Sequence, residues 1–229
     1  MAVIIRPNIS FALDSTIALD AGVPSSYPGS GNTWYDTSQT RGDNATLYNT
    51  SYTTLNGYGI LNFNGSSSYA EVLNRNWNFN FGQTIMMALQ PLESDGNRRN
   101  PYNQAYGGGG TWTHEPGGNI NFYFGNSGVD GGSYIGFGSG FTVVQNEWAI
   151  VATTRNQTNA YWYKNGILIN STSHGYTTVN TGTRPILVGR GYAGYYLGNI
   201  GFCYVWDRAL SDTEVKTYYD RLKSRFGLS

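Results

Sequence analysis

Charge is scarce in this sequence. Lys plus Arg and Asp plus Glu each number 14 in 229 residues, so the formal net charge is zero, and the longest run of one sign is Arg98-Arg99. Such a surface carries no electrostatic footprint for duplex or single-stranded nucleic acid, or for an anionic membrane. Partners must be held through shape, stacking and neutral hydrogen bonds. Cysteine is nearly absent as well. Cys203 stands alone in the apolar run Ile200 to Trp206 with no Lys or His beside it, so no intramolecular disulfide can form, and the setting is that of a buried structural thiol. One cysteine fits a chain folded in a reducing cytoplasm. Long apolar runs are missing too, which excludes membrane insertion by a helix. Met1 to Pro7 has no basic leader and too short an apolar stretch for a signal peptide, so synthesis in a cytoplasm without secretion is expected.

Asn, Ser, Thr, Gly and Tyr carry the polar content instead, which is the chemistry of tight turns and neutral recognition. Short apolar or alternating segments are separated by turn clusters, predicting an all-β fold of about eleven strands in two packed antiparallel sheets. Those strands are expected at 9–13, 59–63, 69–73, 84–90, 119–124, 134–137, 148–155, 160–164, 167–171, 186–189 and 200–206. The first 45 residues have weaker periodicity and read as irregular strand wrapped across the sheets. Asn165-Gly166 stands between two β-rich runs and predicts a type I′ hairpin, because both central residues need positive φ. Alternation then sends Tyr161 and Tyr163 to one face and Trp162 to the other. Ser211 and Glu214 form a capping box. Val215, Tyr218, Tyr219, Leu222 and Phe226 follow at helical spacing, with Gly227 as C-cap, so a short helix over 211–226 should close the domain. Residues 94–118 read as a long polar loop insertion containing Gly107 to Gly110. With no internal repeat and no linker, residues 1–229 are expected to form one domain.

From Glu147 onward the order of features resembles a known family. Asn146-Glu147-Trp148 with its following apolar strand, Tyr161-Trp162-Tyr163-Lys164-Asn165-Gly166, Ile186-Leu187-Val188-Gly189, and Val205-Trp206-Asp207-Arg208-Ala209-Leu210-Ser211 are together similar to the laminin-G-like branch of the concanavalin A-like lectin/glucanase superfamily. The N-terminal half adds Leu19-Asp20-Ala21-Gly22, Ser26-Tyr27-Pro28-Gly29-Ser30-Gly31, Trp34-Tyr35-Asp36 and Leu61-Asn62-Phe63-Asn64-Gly65. That opening, and the ending Leu222 to Gly227, resemble laminin-G-like domains in structural proteins of tailed bacteriophages. The resemblance implies a two-sheet antiparallel jelly-roll sandwich with one short C-terminal helix. It also implies glycan binding in some members and calcium at one rim in others. Asn64 and Ser68 stand where relatives often carry Asp, which weakens the calcium implication.

Catalysis finds little support in the residues. Glycoside hydrolases of this superfamily aim alternate carboxylates of one strand into a cleft. Here Glu93-Ser94-Asp95 begins such a pattern, but Asn97 and Arg98 occupy the positions of the second Glu. The two histidines, His114 and His174, have no Gly-x-Ser-x-Gly partner and no second ligand at zinc spacing, and read as surface residues. Gly107 to Gly110 lacks the Lys-Ser/Thr and helix of a phosphate cradle and reads as a flexible loop. No catalytic residue and no required cofactor is expected, and the chain is read as a non-enzyme.

The candidate contact residues are the aromatic and amide groups of 94–118: Asn100, Tyr102, Asn103, Tyr106, Trp112 and His114. Sugar C–H faces stack on such rings while amides bond the hydroxyls. The same aromatics would equally pack the segment on its own body or on a neighbouring subunit. Asp20, Asp36, Asp95 and Asp130 lie in turn-like segments as candidate calcium ligands, with turn capping the simpler role. The expected function is therefore a structural or binding protein of a tailed-phage virion (a capsid decoration, fibre or adhesin component), with other virion proteins of capsid or tail, a host-surface glycan or a second copy of itself as partners. The alternative is a soluble carbohydrate-binding lectin of cellular origin, with a glycoside hydrolase a distant third.

Overall fold

A computed structural model describes residues 12, 14–39, 42–73, 77–93 and 96–229. The strand expected at 9–13 falls almost wholly outside them, and Asp95 entirely so. In chain order the strands are β1 (Ile17–Asp20), β2 (Thr33–Trp34), β3 (Ala45–Tyr48), β4 (Ser51–Leu55), β5 (Tyr58–Asn64), β6 (Tyr69–Val72), β7 (Gln83–Pro91), β8 (Arg99–Ala105) and β9 (Gly110–His114). There follow β10 (Asn119–Gly125), β11 (Tyr134–Thr142), β12 (Ala149–Arg155), β13 (Asn159–Lys164), β14 (Ile167–Ser173), β15 (Ile186–Val188), β16 (Arg190–Gly191), β17 (Gly194–Tyr195) and β18 (Leu197–Trp206). Helix α1 (Asp212–Leu222) and a 3₁₀ turn (Lys223–Phe226) end the chain.

Two sheets result. The first runs β14-β13-β12-β7-β18-β5-β4, with β1 also paired to β18. Strand β18 is long enough to serve two partners along one edge: Leu197 to Ile200 pair with β5, and Phe202 to Val205 with β1. A bulge between Ile200 and Phe202 on its β7 side marks the changeover; such bulges bend a strand and deepen its twist. The second sheet runs β11-β10-β9-β8-β15-β6-β3-β2, with the β16–β17 hairpin attached to β8. Among the described residues, all pairings are antiparallel except Tyr195 with Asn100. An all-β sandwich of two antiparallel sheets with one short C-terminal helix is thus the observed architecture.

Packing follows from alternation. Leu61, Phe63, Met87, Leu89, Val151, Trp162, Cys203 and Val205 face Trp34, Val72, Tyr102, Trp112, Phe122, Phe124 and Val188 in one buried cluster between the sheets. The other face of the first sheet is covered too. Met86, Ala88, Ile150, Tyr163, Phe202, Tyr204 and Trp206 pack under Val215, Tyr218, Tyr219, Leu222 and Phe226. Trp162 and Tyr163 therefore serve opposite faces of β13, as period 2 requires. Each fully buried side chain of this size contributes about 1.5–3 kcal/mol relative to exposure. Burial also pushes the Cys203 thiol up, which leaves it inert. The closing helix forms where its sequence places it: Glu214 N donates to Ser211 Oγ at 3.3 Å, and Ser211 N donates back to Glu214 at 2.8 Å. The Asn165-Gly166 turn has φ of 51° and 74°. Among the described residues, no helix is long and apolar enough to cross a membrane.

Segment 94–118 is not a loop insertion. Its residues 99–105 and 110–114 are β8 and β9, two interior strands of the second sheet. Polar composition concealed them, because Asn100, Asn103, Gln104, Thr111 and Thr113 are buried through hydrogen bonds instead of apolar contact. The glycines between these strands are packed, not free. A Cβ at Gly107 would lie 2.0 Å from the Gly131 carbonyl oxygen, so the run exists for close approach of another loop.

Candidate functional site

The central strands of the first sheet are covered on both faces, whereas the second sheet turns one face of β10 and β11 outward. Along β10, Ile120, Phe122 and Phe124 enter the core while Asn121 and Tyr123 point away from it. Along β11, Phe137 is buried while Tyr134, Gly136 and Gly138 are exposed or nearly so. Tyr123 lies in register with Gly136. A Cβ there would come within 2.8 Å of the Tyr123 ring, so the glycine gives the ring room to lie across the neighbouring strand.

Four tyrosines gather on this face. Tyr106, Tyr123, Tyr134 and Tyr192 line a cleft of about 250 Å³ with Arg98. Ring centroids are 5.2 Å apart for Tyr106–Tyr134, 4.8 Å for Tyr106–Tyr192 and 5.9 Å for Tyr123–Tyr134. Tyr192 arrives on the hairpin formed by β16 and β17. Asn100 secures that hairpin, accepting from Ala193 N at 2.7 Å and donating to the Trp112 carbonyl at 2.9 Å.

Arg98 sets the electrostatics. Its Nε and Nη2 donate to the two Glu115 oxygens at 2.8 and 3.0 Å, and Nη2 also reaches the Tyr123 and Tyr192 hydroxyls at 3.2 and 3.0 Å. The bond to Glu115 raises the guanidinium's pKa above its ordinary value. Burial raises both phenols, Tyr123 and Tyr192, so they stay protonated and offer fixed donors and acceptors. Asn121 Nδ2 completes the network, donating to Glu115 at 2.9 Å and to the Tyr123 hydroxyl at 3.1 Å. On the far side, Tyr106 N donates to Asp130 at 3.1 Å and Arg184 is ion-paired with the same carboxylate. The cleft thus presents π faces and oriented hydroxyls around a cation that is already matched. Glu115 and Asp130 each face a guanidinium.

The residues singled out in the sequence lie mostly elsewhere. Tyr102 and Trp112 are fully buried between the sheets. Trp112 Nε1 donates to Thr153 Oγ1 at 3.0 Å, and its ring lies 5.2 Å from Trp162. Asn103 is buried and accepts from Thr111 Oγ1 at 2.8 Å. His114 is 4% exposed with its ring edge toward Tyr196, and His174 is half-buried against Phe124. Of the predicted contact set only Tyr106 reaches the cleft. Once 99–105 and 110–114 become strands, their three rings, Tyr102, Trp112 and His114, are all buried. Tyr123 and Tyr134 carried a readable signal, the phase opposite to their buried neighbours. Arg98 and Tyr192 carried none.

The candidate calcium ligands among the described residues are already engaged. Asp20 is buried against Arg225. Asp36 accepts from the backbone N–H groups of Ala18, Ser38 and Asp43 at 2.8–2.9 Å, the turn-capping role. Asp130 holds Arg184 and Tyr106 N. Among the described residues, no group of three or more His, Cys, Asp or Glu is placed to hold a metal ion.

Two facing sheets, one wrapped by a helix and one presenting an aromatic outer face, define a lectin-type β-sandwich. Residues 64–216 match the Concanavalin A-like lectin/glucanases superfamily, and the chain belongs to it. No curated protein sequence matches the chain. Solved structures similar to it include the receptor binding domain of a botulinum neurotoxin C/D mosaic serotype, with TM-score 0.71 and 16% identity over 90% of this chain and 51% of that one. The binding domain of botulinum neurotoxin DC in complex with rat synaptotagmin II gives TM-score 0.68 and 17% identity over 91% and 51%. A botulinum neurotoxin serotype D ligand binding domain in complex with N-acetylneuraminic acid gives 0.67 and 18% over 90% and 50%. Likeness at this identity establishes the fold alone, and this chain spans about half the length of each of those structures.

Proposed function

We propose that residues 1–229 act as one non-catalytic binding module of a tailed-phage virion, a capsid decoration, fibre or adhesin component that contacts host-surface glycan through the Arg98 cleft. The observation that carries the glycan reading is the cleft itself: four tyrosine rings around a guanidinium neutralised by Glu115. Stacking surfaces with fixed neutral hydrogen-bonding groups suit a sugar, whose faces are apolar and whose rim is hydroxyl. The solved structures' complexes with N-acetylneuraminic acid and with synaptotagmin lend support of a general kind, that domains containing a sandwich of this shape serve recognition. The virion setting is supported by the opening and closing sequence blocks, which resemble those of phage structural proteins.

A glycan array probed with the purified protein tests the first part. Binding that disappears in Tyr134→Ala and Tyr192→Ala is expected, and an array at background with and without calcium overturns the reading. Mass spectrometry of virions purified from a producing host tests the second, and particles without this polypeptide would overturn it.

A further inference from the structure

The tyrosine cleft is one end of a longer feature. Tyr48 on β3 and Tyr69 on β6 are paired in register on the same outward face and stack at 4.4 Å and 12°. Tyr69 meets Tyr195 at 6.3 Å, and the Arg190 guanidinium lies 4.9 Å from the Tyr69 ring and 5.3 Å from that of Tyr195. Tyr195 and Tyr192 belong to the one β16–β17 hairpin that crosses β8. Between the two tyrosine groups lies a polar depression of about 440 Å³ lined by Gly65, Ser66, Arg99, Gly194 and Tyr195. It shares Arg98 with the cleft.

From β11 to β3 the sheet takes six inter-strand steps, and at about 4.8 Å per step these rings span roughly 29 Å. That is far more than one sugar ring needs. Two of the guanidiniums along the way are matched by carboxylates, and two are held by carbonyls or rings. Arg98 is committed to Glu115 and Arg184 to Asp130. Arg99 donates to the carbonyls of Gly65 and Tyr195 at 3.2 and 3.0 Å, and Arg190 is placed over two rings.

We infer that this face is an extended track for a neutral polysaccharide, in which the cleft around Arg98 and the Tyr48–Tyr69–Tyr195 group hold separate rings of one chain. The inference rests on the cleft being a glycan site and adds the length and charge class of the ligand. Affinity electrophoresis through gels containing mannan, galactomannan, xyloglucan, mixed-linkage β-glucan or dextran, with polygalacturonate as the acidic counterpart, identifies the retaining polymer. Oligomers of two to eight units cut from it are then titrated calorimetrically.

Retention by a neutral polymer is expected, with six-unit oligomers bound about tenfold more tightly than two-unit ones. Tyr69→Ala and Tyr195→Ala should remove that gain, and Tyr134→Ala should weaken six-unit and two-unit binding alike. Affinity independent of length, or unchanged by Tyr69→Ala and Tyr195→Ala, overturns the track while the cleft stands. Retention by polygalacturonate alone overturns the neutral class. No retention by any polymer overturns the track, and the cleft reading fails separately if the glycan array is also blank.

Discussion

Asp20 and Arg225, 205 residues apart, meet as a forked ion pair closed off from water, with Nη2–Oδ1 at 2.6 Å and Nη1–Oδ2 at 2.8 Å and side-chain exposures of 0% and 3%. The pair ties the first strand to the last turn. Tyr204 donates its hydroxyl to the same carboxylate, and Gly22 N donates to Asp20 Oδ1 at 2.9 Å. Burial works against the Arg225 charge, but the Asp20 carboxylate outweighs it and raises the guanidinium's pKa. Removing one partner strands the other. Arg225→Met should cost about 3–5 kcal/mol, read as a lower midpoint in urea unfolding.

Arg155 presents the opposite case. It is fully buried on β12 and donates to the Phe79 carbonyl at 2.5 Å, and its Nε and Nη1 have no hydrogen-bond partner among the described residues. Burial pushes its pKa down to about 10. A buried cation without a carboxylate is costly, so Arg155→Met should leave stability unchanged or raise it by about 1 kcal/mol or more. Thermal unfolding at neutral pH checks this.

Trp112 and Tyr134 should separate scaffold from site. Trp112→Ala empties the core opposite Trp162 and should cost about 3–5 kcal/mol. Tyr134, 49% exposed, can be changed to alanine within about 0.5 kcal/mol. Calorimetric melting of the two variants, paired with glycan titration, should show stability loss without a specific binding defect in the first and the reverse in the second.

Acid should loosen the corner where the helix begins. Arg208 bridges Glu214 at 2.8 Å and Asp14 at 2.9 Å, and its hydrogen bond holds the Glu214 carboxyl at about 2 against the usual 4.5. A depressed carboxyl pKa means the native state binds fewer protons than the unfolded one in this window. The contribution is therefore complete above pH 4.5 and lost as pH falls towards 2. Both groups are well exposed, so the effect is small, within the about 0–1 kcal/mol of surface pairs. Arg208→Gln should flatten the acid limb of stability between pH 4.5 and 2.

Several parts were written locally in the chain. Asn165-Gly166 specifies its hairpin because few residue pairs accept two positive φ values. Ser211 and Glu214 specify a helix start because each satisfies the other's backbone amide. The run around Cys203 reads as buried because nothing polar interrupts it. Each of these is a short-range rule acting on adjacent residues.

Tertiary structure decided how the site is assembled. Strands β8 and β9 bury amides and hydroxyls whose partners lie across the sheet, such as Asn100 with Ala193, so their polarity imitated a loop. Trp112 and Tyr102 look like sugar platforms until the pairing of β8 with β9 and β15 turns them inward. The cleft joins Arg98, Tyr106, Tyr123, Tyr134 and Tyr192 across up to 94 positions of chain. Periodicity can say which residues share a face of one strand. Only the order and register of strands can say which faces become one surface.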